Sequence, residues 1–71
     1  MQIYPGQKYK VNSSTGEEVT VLYVDGKDCL LLRESGNLIR ANGFFIKNPY
    51  IFWNGGDYAD NTMFSNLMEL M

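Results

Sequence analysis

Asp25-Gly26 constrains this chain more than any other feature of it. The pair stands between residues 17–24, rich in β-branched side chains, and residues 27–33, a second apolar run. Asp-Gly is favoured in type I′ turns, whose two central residues both need positive φ and whose twist suits a tight hairpin. A two-residue loop at Asp25-Gly26 predicts Val24 opposite Lys27, Val21 opposite Leu30 and Val19 opposite Leu32. It also sets Glu18 opposite Arg33, a favourable charge pair across strands. Leu22, Cys29 and Leu31 then fall on the other face. With both faces apolar, the sheet is expected to be covered on both sides or curled.

Turn signals punctuate the rest of the chain. Tyr4-Pro5-Gly6 reads as a turn, with Pro fixing φ and Gly accepting the positive φ that follows. Lys8-Tyr9-Lys10-Val11 alternates polar and apolar, as a half-buried strand does. Asn12-Ser13-Ser14-Thr15-Gly16 is a polar loop, and Ser35-Gly36-Asn37 is a second tight turn. Asn42-Gly43 marks a bulge or bend, Asn48-Pro49 a break, and Asn54-Gly55-Gly56 the close of a further strand. Strands are expected at residues 8–12, 17–24, 27–34, 38–46 and 50–53. The period then changes: Met63, Phe64, Leu67, Met68 and Met71 form one helical stripe, predicting a helix over residues 61–70, capped by Asp60, Asn61 or Thr62. So short a helix must dock on something. The expected fold is mainly β, a small SH3-like antiparallel barrel or curled sheet with a C-terminal α-helix. An antiparallel sheet with one helix packed across it is the alternative.

A chain of 71 residues makes one domain, residues 1–71, near the lower size limit for a single core. With one cysteine and no histidine, neither an internal disulfide nor the ordinary zinc patterns can staple it. A tight core or homo-oligomerisation must therefore supply the stability. Six basic against eight acidic residues give a net charge of −2. That is too balanced for a phosphate-tracking protein, so nucleic acid is a disfavoured partner. The N-terminus lacks the basic start and apolar run of a signal peptide, no apolar run is long enough to span a bilayer, and a lone thiol suits a reducing cytoplasm. A cytoplasmic location is expected, with no membrane partner.

The survey for catalysis is mostly negative. Without histidine, the commonest general base and the usual nucleophile pairs are missing. Cys29 lies inside the expected hairpin, where a free cysteine behaves as a small apolar residue. Glu17 and Glu18 are adjacent and point to opposite faces. Asp57 and Asp60, with Asn54 and Asn61, lack the regular calcium-loop spacing and suit turns and capping better. Gly55-Gly56 could cradle a phosphate, yet neither nucleotide-binding glycine pattern is present, and a plain turn explains it. No enzyme activity, cofactor or metal is expected.

The densest signal is aromatic. Phe44, Phe45, Tyr50, Phe52 and Trp53 lie within ten residues. Core packing would use some of them, but Phe44 and Phe45 must face opposite sides, as must Phe52 and Trp53. At least one member of each pair then lies on an outer face unless it is covered, on one side by the C-terminal helix and on the other by a partner chain or ligand. Tyr50, Phe52 and Trp53 are the expected anchors of a protein-binding face, with Phe44 and Phe45 beside them. A second reading is an oligomeric small-ligand binder or sponge for a nucleotide signal, in which aromatics stack a base and Arg33, Arg40 or Lys47 meets phosphate. A third is a nucleic-acid-binding barrel that uses aromatics for stacking.

Pro5-Gly6-Gln7-Lys8-Tyr9-Lys10-Val11, Gly16-Glu17-Glu18-Val19-Thr20-Val21, the Asp25-Gly26 hairpin and Gly36-Asn37-Leu38-Ile39-Arg40 together resemble small SH3-like domains encoded by bacteriophages and prophages. The resemblance covers about the first 46 residues and rests on turns and strands. Those domains carry no defined catalytic residues to transfer. The resemblance implies a phage accessory protein in a bacterial cytoplasm, of the kind that inhibits a host defence protein by occupying its surface or by sequestering a nucleotide signal.

Overall fold

The computed structural model describes residues 3–11, 16–47, 50–57 and 62–66. Among these residues the chain forms six strands: β1 (Lys8–Val11), β2 (Glu18–Asp25), β3 (Asp28–Arg33), β4 (Leu38–Lys47), β5 (Tyr50–Gly56) and β6 (Thr62–Asn66). Each pairs antiparallel with the next, and β6 pairs back onto β1, so the curled sheet closes on itself as a barrel. No helix among the described residues is long and apolar enough to cross a membrane. Turns form where the sequence marks them. Gly6 at φ +94° follows Pro5, and Gln7 N–H donates to the Tyr4 carbonyl at 3.2 Å. Gly36 at φ +91° turns β3 into β4, with its N–H on the Arg33 carbonyl at 2.9 Å.

The hairpin differs from the expected register. Asp25 pairs with Asp28, so the two-residue loop is Gly26-Lys27 and not Asp25-Gly26. Val24 then faces Cys29 and Tyr23 faces Leu30, but the register shifts between Val21 and Tyr23 and continues as Val21–Leu31, Thr20–Leu32 and Val19–Arg33. Leu22 is the extra residue of a β-bulge. Strict alternation would put Val21 and Val24 on opposite faces. The bulge lets Val24 pack against the core that Val19 and Val21 enter. Cys29 and Leu31 join them inside, while Leu22 and Tyr23 stay exposed. Glu18 does not meet Arg33; Glu17 does, at 2.8 Å, and Glu18 lies 3.8 Å from Lys8.

The tail differs too. Residues 62–66 are a strand where a helix was expected to begin, and the remainder of that expected helix lies outside the described residues. Val11 on β1 and Ile51 on β5 both pair with Phe64. A strand here satisfies the backbone groups of two sheet edges at once, which one turn of helix cannot do. It also buries Phe64 to 1% exposure.

The interior is small and tightly filled. Tyr9, Val11, Val19, Val21, Leu31, Ile51 and Phe64 are its largest fully buried side chains. Tyr9 keeps its hydroxyl satisfied by donating to Gln7 Oε1 at 2.9 Å.

Candidate functional site

β4 and β5 form the aromatic hairpin, in the register Phe44–Trp53, Phe45–Phe52, Ile46–Ile51 and Lys47–Tyr50. Successive rungs of an antiparallel ladder point to opposite faces. Phe44 and Trp53 therefore turn inward together. Their rings meet edge to face at 5.4 Å, and Trp53 meets Phe64 edge to face at 5.8 Å. Phe45 and Phe52 turn outward together and stack at 5.3 Å with only 10° between ring planes. Tyr50 and Lys47, two residues further along, share that outer face.

The expected aromatic anchors thus divide. Trp53 is 2% exposed and belongs to the core, which corrects its assignment as a surface anchor. Its buried indole N–H has no acceptor among the described residues, so its contribution there is packing. Phe44 is half-buried against the same core. Phe45 and Tyr50 are each 36% exposed and Phe52 is half-buried, leaving a strip of three aromatic rings with Lys47 at its end.

Two glycines shape this hairpin. Gly43, at φ +66°, is where β4 leaves β3: its N–H donates to Asp28 Oδ1 at 2.9 Å, and Phe44 N–H reaches the Lys27 carbonyl at 3.0 Å. Gly56, at φ +97°, lies against β4 so closely that a Cβ there would sit 2.5 Å from the Arg40 carbonyl oxygen. Asp57 locks this contact by donating its N–H to that carbonyl and accepting the Arg40 N–H on Oδ2, both at 2.8 Å. Close sheet packing therefore accounts for Gly56, and the glycine pair lies within β5 instead of forming the expected terminal turn.

The three basic residues considered as phosphate contacts do not converge. Arg33 pairs with Glu17 beside Glu34, whose Oε2 accepts the Glu18 N–H at 2.8 Å. Lys47 lies at the aromatic strip. Arg40 projects from the β3–β4 side in the row Tyr23–Leu30–Arg40. Cys29 is buried, and desolvation, helped by the Asp28 carboxylate, pushes its thiol up to about 12. A thiol so disposed is a packing group and a poor nucleophile at neutral pH. Among the described residues no group of three or more acidic, cysteine or histidine side chains could hold a metal ion. Asp60 and Asn61 lie outside those residues.

Exposed apolar side chains that the sequence reading did not single out include Tyr4, Tyr23 and Leu38. Tyr23 and Leu22 emerge because of the bulge, which no residue type in β2 announces. Comparison with protein-family models, curated proteins and solved structures finds no match to this chain.

Proposed function

We propose that this chain is a non-enzymatic protein-binding module whose contact face is the outer strip of Phe45, Phe52 and Tyr50, flanked by Lys47. The stacked, outward-facing Phe45–Phe52 pair carries this reading. Inward rings stabilise a small barrel. Outward rings leave apolar area in water, where a partner would gain by covering it. Two preordered rings lose little conformational freedom on docking, which favours aromatic anchors at interfaces. Lys47 supplies a polar rim at one end. The resemblance to phage-encoded domains extends the proposal to its setting: the partner is a protein of a bacterial host, and occupying its surface blocks a defence activity.

A photocrosslinking residue in place of Phe52, compared with one in place of Arg33 in bacterial cells, tests the face. The reading expects a discrete protein adduct from position 52, lost when Phe45→Ser is added, and none from position 33. Equal adducts from both positions, or none from position 52, contradict it.

A further inference from the structure

We propose a second binding site, independent of the aromatic strip, on the outer face at the tip of the β2–β3 hairpin, and assign it to a nucleoside monophosphate. Tyr23, Asp25, Asp28, Leu30, Arg40 and Asn42 line one open groove of about 350 Å³. Their arrangement follows from the register. Tyr23, Leu30 and Arg40 form one cross-strand row, and Asp25 faces Asp28 in the next row toward the tip. The two rows are about 7 Å apart, two residues along a strand.

Charge in this groove is uncompensated from within. Among the described residues the Arg40 guanidinium makes no ion pair, although two carboxylates line the same groove. Among the described residues Asp28 accepts the Gly43 N–H on one oxygen and no hydrogen bond on the other, and Asp25 accepts none. Next to Arg40 in its row lie an apolar floor, half-buried Leu30, and an aromatic wall, Tyr23, which is 61% exposed, with Asp28 and Asp25 alongside them in the next row. A complementary ligand needs an anion at the Arg40 end, a flat apolar body over Leu30 and Tyr23, and hydrogen-bond donors on the edge that faces Asp25 and Asp28. A nucleoside monophosphate has all three. Its phosphate pairs with the planar guanidinium fork of Arg40. Its base stacks on Tyr23 over Leu30. The amino edge of the base donates to Asp25 and Asp28, as base amines do to carboxylates. The bulge is integral to the site, because it turns Tyr23 outward opposite Leu30. A nucleic-acid strand is a poorer fit, since the chain carries a net charge of −2 and the groove itself holds two carboxylates against one arginine.

Amide-resolved NMR titration of the full chain with GMP, AMP, CMP, UMP and inorganic phosphate tests this assignment. GMP, with two donors for one carboxylate, is expected to bind tightest and to shift Tyr23, Leu30, Arg40 and Asn42. UMP lacks an exocyclic amine and is expected to bind at least about fivefold more weakly. Arg40→Gln should weaken every nucleotide about tenfold or more, whereas Asp25→Asn, at a side chain with no hydrogen bond or ion pair among the described residues, should narrow the GMP-to-UMP gap. The unperturbed amide spectrum of each variant verifies its fold. Absence of shifts, equal affinity for phosphate alone, tighter binding of a single-stranded oligonucleotide, or shifts confined to Phe45 and Phe52 would overturn the assignment. Only the last of these results involves the protein-binding face.

Discussion

Phe44–Trp53 and Phe45–Phe52 are neighbouring rungs of one hairpin, built from the same class of side chain, yet they do different work. The inner rung meets edge to face and extends through Trp53 to Phe64, linking β4, β5 and β6 in the core. The outer rung stacks face to face and ends in water. Residue type does not separate these roles; strand parity does. A barrel of this size has room inside for one face of each strand, so an aromatic-rich hairpin necessarily displays its other face.

Substitutions on the two rungs should diverge accordingly. Trp53→Ala is expected to cost about 3–5 kcal/mol, the usual range for deleting a buried large aromatic, and a domain this small could lose its cooperative unfolding altogether. Urea denaturation measures it, and a cost under about 1 kcal/mol would erase the distinction between rungs. Gly56→Ala tests the frame that holds the hairpin against β4. It should cost about 1–3 kcal/mol or more, because positive φ is strained for alanine and the new Cβ meets backbone. Gly26→Ala shares a positive φ but has open space around it, so its loss should be distinctly smaller.

Phe45→Ala should cost only about 1 kcal/mol, mainly the lost stacking with Phe52, while abolishing crosslinking to a partner from position 52. The smallest effect at neutral pH concerns the Cys29 thiol, raised from 9.0 to about 12. Well below pH 9.0 it is protonated in both folded and unfolded chains and adds no pH dependence. From there to about 12 the unfolded chain releases the proton and the folded chain keeps it, so stability must fall as pH rises. Tyr9, also raised by burial, acts in the same direction. Unfolding midpoints across this range, compared with Cys29→Ala, should show a shallower decline in the variant.

Alternation made much of the aromatic hairpin legible beforehand. Phe44 against Phe45, and Phe52 against Trp53, separate by period two alone. Which member of each pair faces inward was not legible, because that depends on the direction in which the sheet closes. The first hairpin was harder. Asp25-Gly26 marks the turn correctly to within one residue, but the bulge at Leu22 changes the partnering of everything beyond it. Leucine carries no bulge signal; the advantage comes from burying Val24 together with Val21, a tertiary effect. At β6, Met63 and Phe64 fit a helical stripe with Leu67 and Met68, and local spacing cannot reveal that β1 and β5 each need a strand partner there. Arg40 was legible as a candidate anion contact, but its association with Tyr23, Asp25 and Asp28 required the register.

Paired urea unfolding of two double variants tests the division of the hairpin most directly: Phe45→Ser with Phe52→Ser, and Phe44→Ser with Trp53→Ser. The outer double variant should retain one cooperative transition with its midpoint modestly lowered, and the inner one should show no cooperative transition. Equal collapse of both would make the outer strip part of the stabilising core and contradict its role as a surface kept for contact.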